Sequence, residues 1–322
     1  IRDRATYQLE FENEVDAFSD YLRKSSHSWV DPSEIFSTHA YFDAHRNDLI
    51  GRTVSPLQHY LENGASPDAS YRHKPLWAPA GSVQLKGEFK AHSNYAISAH
   101  LFYADYIAKF ASCLLHAKFS FDVLLTVPSP EIAEQARNYL NNIEGVQNIY
   151  TRVVPNRGRN FGPLLVEFGR HLLNYDYFCH LHSKKSLFSS SNQEVWGHYL
   201  YEYLLHDHQT LNKALAIFEQ NEKFGLYFPT AFSRSLPRWA VHTLKNQHSL
   251  ASLSKLLGIQ SPAHGFLPYP VGAMFWARSD ALRTLLEYPW KYEDFPEEPI
   301  ANDGTLLHAL ERILVSICEH HN

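Results

Sequence analysis

The sequence predicts an α/β protein in which a mostly parallel sheet is flanked by helices and preceded by a small helical N-terminal region. Two observations support this fold class. Hydrophobic residues make up 44% of the 322-residue chain and charged residues 20%, a balance that is typical of globular proteins with a sizeable core. From Tyr95 onwards, apolar segments of strand length alternate with segments of helical periodicity, which is typical of βαβ units.

Residues 1–88 are predicted to form a helical appendage and a linker. The short helical patterns "EVDAFSDYLRK" and "SPLQHYLENG" are interrupted by Pro, Gly and Ser, and "NGASPDASYRHKPLWAPAGS" is rich in turn-forming residues. The remainder, residues 89–322, is predicted to be the α/β domain.

The predicted strands and helices of this domain follow in order. Strands are expected in "YAISAHLFY", "FDVLLTVPS", "QNIYTRVVPN", "YDYFCHLHS", "KFGLYFPTAF" and the start of "YPVGAMFWARSDALRTLLEY". Helices are expected in "ADYIAKFASCLLHA", "PEIAEQARNYLNNI", "GPLLVEFGRHLLN", "EVWGHYLYEYLLHDHQTLNKALAIFEQ", the second part of "YPVGAMFWARSDALRTLLEY" and "NDGTLLHALERILVSICEHH". Ser129 is expected to cap the second helix, with Pro130 at its first position, and Asn302 or Asp303 to cap the last one.

Composition excludes several classes of function. The net charge of −5 predicts no nucleic-acid partner. The cysteines Cys113, Cys179 and Cys318 are widely spaced, so neither a disulfide framework nor a zinc site is expected, and a reducing compartment fits best. The segment His206–His208 matches no zinc motif. The chain begins with Ile1, and we expect it to be part of a larger multidomain protein.

Three polar stretches follow predicted strands: residues 100–103, 157–160 and 182–186. Because ligands of parallel α/β sheets bind outside the carboxyl ends of the strands, we expect these stretches to form one site. His180 and His182 should lie on the same face of their strand.

The stretch "NRGRN" contains two guanidinium groups, Arg157 and Arg159, around a glycine that permits close backbone approach to an anion. The following helix start, at Gly162 and Pro163, favours the same ligand class. A solvated turn with surface arginines is the alternative. In "HLHSKKS", Lys184 and Lys185 could neutralise a diphosphate without a metal, or form an exposed lysine pair.

Acidic residues precede the last helix in "EDFPEEPIANDGTLLHALER". A carboxylate there could act as general base towards a sugar hydroxyl. For Asp303, helix capping is an equally weighted alternative.

The ordered set "HLFY", "VVPNRGRNFGP", "HLHSKKS", "GAMFWAR" and "DGTLLHALER" resembles the rhamnan synthesis F family of bacterial glycosyltransferase-like proteins, over about Tyr95 to Arg312. "PLQHYLENGA" also resembles a helical repeat joined to bacterial glycosyltransferases. The resemblance implies a GT-A-like, Rossmann-like fold. Asn160 stands where the family pattern usually has Asp.

The resemblance also implies a site and a reaction. His182-Ser183-Lys184 occupies the place of the usual Asp-x-Asp metal motif, so no metal ligands and no cofactor are expected. Asp303 would be the catalytic base, with Glu297 or Glu298 in reserve. His182 would be catalytic by stabilising the leaving diphosphate, and the remaining residues would bind the donor: Arg157, Arg159, Asn160, Lys184, Lys185, His100 and Tyr103.

The expected reaction is inverting, metal-independent transfer of a deoxyhexose, such as rhamnose from dTDP-rhamnose, to a glycan or lipid-linked glycan of a bacterial cell-surface polysaccharide. The expected location is the cytoplasm, with peripheral association at the inner face of the membrane. Two alternatives stay open: a non-catalytic glycan- or nucleotide-binding module, and a phosphotransferase acting on polysaccharide.

Overall fold

The computed structural model describes residues 93–183, 192–205, 208–229, 243–262 and 267–321, together with shorter pieces of the first 63 residues (19, 38, 41–42, 45–49 and 54–63). The chain divides into two compact units. The first comprises Ile1–Val83, Ala231–Leu244 and Ala263–Pro268, and the second comprises Gln84–Thr230, Lys245–Pro262 and Tyr269–Asn322. The predicted boundary at residues 88 and 89 lies outside the described residues and stays a prediction.

The described part of the first unit contains two short helices, α1 (Arg46–Leu49) and α2 (Pro56–Glu62). The second corresponds to the predicted helix in "SPLQHYLENG". Its start follows from local chemistry, because the Ser55 hydroxyl accepts a hydrogen bond from the Gln58 amide at 3.1 Å and Pro56 occupies the first helical position. The pattern "EVDAFSDYLRK" falls almost entirely outside the described residues.

The second unit contains a six-stranded sheet in the described residues. Its strands are β1 (Tyr95–His100), β2 (Phe121–Val127), β3 (Val146–Val153), β4 (Tyr177–His182), β5 (Leu226–Tyr227) and β6 (Phe275–Arg278). The order across the sheet is β3-β2-β1-β4-β6-β5. Strands β1 to β4 are mutually parallel, and β6 runs antiparallel to both β4 and β5. The predicted α/β, Rossmann-like, mostly parallel sheet is therefore confirmed.

The helices of this unit connect and cover the strands. They are α3 (Tyr106–Leu114), α4 (Pro130–Leu140), α5 (Phe161–Phe168), α6 (Asn192–Leu205), α7 (His208–Gln220), α8 (Gln247–Leu257), α9 (Arg283–Glu287) and α10 (Leu306–His321). Helix α4 begins as predicted, since the Ser129 hydroxyl accepts a hydrogen bond from the Ile132 amide at 3.4 Å.

The two faces of the sheet differ in chemistry because successive strand residues point to opposite sides. One face is apolar and contributes to a continuous core with α3, α4, α6 and α7, in which Phe110, Leu125, Phe218 and Trp276 are fully buried. The other face carries His100, Thr126, His180 and His182 towards the carboxyl ends of β1, β2 and β4. Helix α5 packs on β1 and β2. This second face is also apolar over much of its extent, with Leu124 and Phe178 fully buried, and it becomes polar only towards the carboxyl ends of the strands.

Three expectations for the helices need correction. The single long helix predicted from "EVWGHYLYEYLLHDHQTLNKALAIFEQ" is two helices, α6 and α7, on either side of residues 206 and 207, which lie outside the described ranges. Helix α8 was not expected. Helix α10 begins at Leu306, so neither Asn302 nor Asp303 is its cap. In the described part of the chain, no helix has both the length and the apolar character that a membrane span requires.

Candidate functional site

The carboxyl ends of β1 and β4 lie side by side and are joined by hydrogen bonds. His100 and His182 are register partners, and the Ser183 amide donates to the His100 carbonyl oxygen at 2.9 Å. The Ser183 hydroxyl accepts a hydrogen bond from the Phe102 amide at 2.9 Å. Chain connections leave β1 towards β2 on one side and reach β4 on the other, so this is the point where strand order reverses and where α/β proteins bind ligands.

The loop between β3 and α5 has a backbone that depends on glycine. Gly158 and Arg159 both have positive φ angles, 79° and 48°. The Gly162 amide donates to the Gly158 carbonyl oxygen at 2.8 Å, so this amide is engaged within the loop. A Cβ atom on Gly158 would lie 2.6 Å from the Gly162 Cα and 3.0 Å from the Phe295 ring, which leaves no room for a larger residue.

Arg157 fastens this loop to the segment that precedes α10. Its Nε donates to the Phe295 carbonyl oxygen at 2.8 Å. Its two terminal nitrogens lie 3.3 Å from the Glu293 carbonyl oxygen and 3.3 Å from the Glu297 carboxylate. The guanidinium that was predicted to bind an anion is therefore held by three acceptors of the protein itself, all of them within residues 293–297.

Arg159 also pairs with this segment but remains accessible. Its Nε lies 3.2 Å from the Glu298 carboxylate, and 48% of the Arg159 side chain is exposed. The same Glu298 accepts a hydrogen bond from the Ile300 amide at 3.2 Å through its other oxygen. An incoming phosphate could exchange with one carboxylate here without dismantling the loop.

Asn160 connects the loop between β3 and α5 (residues 154–160, here called the arginine loop) with the face of β4 that carries His180 and His182. Its side-chain nitrogen lies 3.3 Å from Nε2 of His180. Because the amide donates, Nε2 accepts and the proton lies on Nδ1. Nδ1 is buried and has no partner among the described residues. Burial, together with the neighbouring His182 and His100, holds the pKa of His180 well below its usual range, so the ring is neutral.

His182 is fixed at the crevice by two backbone carbonyl groups. Its Nε2 donates to the Gly272 carbonyl oxygen at 2.8 Å, and its Nδ1 lies 3.2 Å from the Ser183 carbonyl oxygen. Its ring centroid lies 6.4 Å from that of His180, which confirms that both rings lie on the same face of β4. The sequence-predicted site residues Lys184 and Lys185 lie outside the described residues.

The two predicted nucleotide-binding residues after β1 differ in their surroundings. His100 is buried, and its Nδ1 lies 2.9 Å from the Thr126 hydroxyl. Burial lowers the pKa of His100 to about 4, so it is neutral at physiological pH. Tyr103 is half-buried and makes an edge contact with Phe102, with ring centroids 5.1 Å apart. Their assignment to nucleotide binding stays a prediction.

Asp303 lies in the turn before α10, in a polar setting. Its Oδ1 accepts a hydrogen bond from Asn246 at 2.6 Å and lies 3.8 Å from the buried Arg312 guanidinium. The Asn246 side chain also accepts a hydrogen bond from the Gly304 amide at 3.1 Å, so it fixes the turn as well as the carboxylate. Asp303 is thus positioned by a residue from a distant part of the chain.

Sequence reasoning missed the residues that join Asp303 to His182. Arg312 lies 3.7 Å from the Glu311 carboxylate, and Glu311 accepts a hydrogen bond from the Gly272 amide at 2.6 Å. Gly272 in turn binds His182. The motif "DGTLLHALER" showed these polar residues on a helix, but only the fold reveals that they face the end of β4.

His308 is a further titratable group on α10. Its Nδ1 lies 2.7 Å from the Thr305 hydroxyl. Burial lowers its pKa, the Asp303 charge opposes that effect, and the charges of Arg312 and Arg159 add to it. The charges of Asp303, Arg312 and Arg159 therefore act on the same imidazole.

The site therefore combines a cationic loop, a carboxylate and a line of histidines. These groups can bind an anion and accept a proton. Within the residues that the structure describes, no cluster of three or more His, Cys, Asp or Glu could hold a metal ion.

Residues 78–322 match the family model of rhamnan synthesis protein F. The chain belongs to that family. This confirms the resemblance drawn from the ordered motifs and associates the chain with polysaccharide synthesis.

Two curated relatives, both described as uncharacterized protein WxcX, come from Xanthomonas campestris pv. campestris, strains B100 and ATCC 33913. Each is 26% identical over 221 residues, which is 67% of this chain and 30% of the relative. The chain therefore spans about a third of the length of these relatives.

Proposed function

We propose that the second unit is a GT-A-like glycosyltransferase that moves a deoxyhexose, rhamnose from dTDP-rhamnose, onto a hydroxyl of a growing bacterial cell-surface glycan. The family description, rhamnan synthesis, supports the sugar and the class of product. The donor would bind in the crevice at the ends of β1 and β4, and the acceptor would be a free or lipid-linked glycan. The expected setting is the cytoplasmic face of the membrane.

One observation carries the proposal: a continuous line of contacts connects the Asp303 carboxylate with His182 at the end of β4. It runs from Asp303 to Arg312 (3.8 Å), to Glu311 (3.7 Å), to Gly272 (2.6 Å) and to His182 (2.8 Å). A base and a leaving-group stabiliser that belong to one connected framework keep a fixed relative position, which displacement at a sugar carbon requires.

Asp303 would act as the general base. Asn246 occupies its Oδ1, so Oδ2 is the oxygen that would accept the proton of the acceptor hydroxyl. The acceptor oxygen forms a bond to the anomeric carbon as the bond from that carbon to the diphosphate oxygen breaks. The electron pair leaves with the diphosphate, and attack from the opposite face inverts the anomeric centre.

The leaving diphosphate would be bound by Arg159, assisted by Lys184 and Lys185, which follow His182 in the sequence. His182, whose two ring nitrogens both face carbonyl oxygens, would contribute through the positive charge of its protonated ring. Preorganised positive groups are most effective where negative charge develops. A charge-assisted contact contributes about 1.5–3 kcal/mol. Arg157 would contribute mainly by holding the loop, because three acceptors of the segment before α10 already engage its guanidinium.

A divalent metal, which GT-A enzymes usually bind after the fourth strand, does not fit the described residues there. Both ring nitrogens of His182 face carbonyl oxygens, and Nε2 donates its proton at 2.8 Å, so this nitrogen has no lone pair for a cation. We therefore route no step of the mechanism through a metal.

The test is the substitution Asp303→Asn, which keeps the Oδ1 acceptor for Asn246 and removes the base. Transfer from dTDP-rhamnose to a rhamnan oligosaccharide should fall by about 10²- to 10⁴-fold, while calorimetric binding of dTDP remains. Asp280→Asn, an exposed carboxylate paired with Arg283, is the matched control and should keep full activity. Undiminished transfer by Asp303→Asn would remove Asp303 as the base.

A second candidate is a non-catalytic glycan- or nucleotide-binding module of a larger assembly protein. The intramolecular pairing of Arg157 and Arg159 favours it, because it leaves fewer cationic groups for a reacting diphosphate. Saturable nucleotide binding without turnover, across a panel of nucleotide sugars and acceptors, would support this module over the enzyme.

A further inference from the structure

Glu311 is a largely buried carboxylate that binds a backbone amide. Only 18% of its side chain is exposed, and its Oε1 accepts a hydrogen bond from the Gly272 amide at 2.6 Å. A charged group is rarely placed in such a setting unless it is paired and hydrogen-bonded. Arg312 lies 3.7 Å away and balances the charge. The carboxylate can therefore remain ionised while it holds the turn before β6.

The turn that Glu311 holds is conformationally unusual. Gly272 has a φ of 99° and Ala273 a φ of 55°, and the Ala273 amide donates to the Pro270 carbonyl oxygen at 2.7 Å. A left-handed alanine is disfavoured and persists only where its surroundings impose it. The bond from Glu311 to the neighbouring amide is one such constraint.

The same turn determines the state of His182. The Gly272 carbonyl oxygen lies 2.8 Å from Nε2 of His182. A carbonyl oxygen can only accept, so a proton must lie on Nε2. Nδ1 faces a second carbonyl oxygen, that of Ser183, at 3.2 Å, so a ring that makes both hydrogen bonds carries a proton on each nitrogen and a positive charge. Because Gly272 presents its amide to Glu311 and its carbonyl to His182, a shift of this residue would change the orientation of the ring and break its hydrogen bond through Nε2.

We propose that Glu311 is a positioning residue for the transfer reaction: through Gly272 it fixes the orientation of His182 and the proton on its Nε2. The inference rests on the proposed function, in which His182 stabilises the departing diphosphate. Glu311 itself touches neither donor nor acceptor in this scheme. Its contribution is to keep the imidazole where the negative charge develops.

The test compares Glu311→Ala with Glu311→Gln. Alanine removes the acceptor, whereas the glutamine Oε1 can still accept from the Gly272 amide. The first readout is the nitrogen-15 spectrum of the histidine side chains, with the His182 signals assigned by a His182→Asn variant. We expect a protonated Nε2 in the wild type, loss of that signature in Glu311→Ala and its return in Glu311→Gln.

The second readout is steady-state transfer. Glu311→Ala should lower kcat about tenfold or more, with a smaller change in the donor KM, and Glu311→Gln should recover to within about threefold of the wild type. Glu319→Ala, an exposed carboxylate on the same helix, is the matched control and should change neither readout.

The outcomes separate the inference from the proposed function. The spectrum requires no substrate, so it reports on the link between Glu311 and His182 even if the wild type transfers no sugar. Absence of sugar transfer by the wild type would count against the proposed function alone. If the nitrogen-15 signature of His182 is unchanged in Glu311→Ala, the inference is overturned, even where kcat or the melting temperature of the variant falls. Loss in the alanine variant with rescue by glutamine supports it.

Discussion

Replacing Gly158 with alanine should destabilise the arginine loop by an amount that the structure allows us to work out. The backbone there has a φ of 79°, and the new Cβ would lie 2.6 Å from the Gly162 Cα and 3.0 Å from the Phe295 ring. The left-handed conformation costs about 1–2 kcal/mol for a residue with a Cβ. Steric overlap with packed neighbours adds about 1–3 kcal/mol. The expected loss is therefore roughly 2–5 kcal/mol.

The chain offers a matched control for the first of these two contributions. Gly258 has a φ of 69°, and a Cβ placed on it would meet nothing within 4 Å. Gly258→Ala should therefore show the conformational loss of about 1–2 kcal/mol without the overlap. Urea unfolding followed by circular dichroism gives both free energies from the shift in midpoint at constant slope. Equal losses in the two variants would refute the close packing of Gly158 against Gly162 and Phe295.

Two further predictions concern charge. The double variant Glu297→Gln with Glu298→Gln removes two carboxylates that compete with a diphosphate for the arginine loop. Exposed pairs contribute about 0.2–1 kcal/mol each, so the dissociation constant of dTDP should fall about two- to thirtyfold. Glu293→Gln is the control, because the backbone carbonyl of Glu293 and not its carboxylate contacts Arg157; an equal gain there would indicate only a general charge effect. Burial lowers the pKa of His100 to about 4 in the folded protein, whereas a histidine in an unfolded chain has a pKa of about 6.5. Between these two pH values the unfolded chain binds the proton and the folded chain does not. The free energy of unfolding should therefore decline by up to about 1.4 kcal/mol per pH unit as the pH falls towards 4. His100→Gln should flatten this decline in acid unfolding curves, and an unchanged curve would contradict the neutral, buried state of His100.

The sheet could be predicted because its signals are local. Alternation of apolar strands with capped helices, as at Ser129 and Pro130, specifies βαβ units wherever they occur in a chain. The sequence "QHSLASLSKLLG" also carried a usable signal for α8, with leucines at helical spacing and Gly258 at the end, where the glycine adopts a left-handed C-cap. The break between α6 and α7 had no such marker, because the helical apolar pattern continues across it.

The site could be predicted only in part, because its decisive contacts join distant segments. The strand ends indicated where Asn160, His182 and their neighbours would gather. Nothing in the local sequence showed that Asn246 would bind Asp303, 57 residues away, or that Glu311 would reach the Gly272 amide. The arginines looked available for a ligand, since the pairing of Arg157 with a segment 138 to 140 residues later depends on the whole fold.

The central claim, a nucleotide-sugar site that uses protein cations in place of a metal, is tested most directly by calorimetric titration of the chain with dTDP-rhamnose in EDTA and again in Mn²⁺. The account predicts saturable binding in EDTA that Mn²⁺ does not strengthen, and a loss of about tenfold or more in affinity in His182→Asn. Binding that appears only with Mn²⁺ would contradict it.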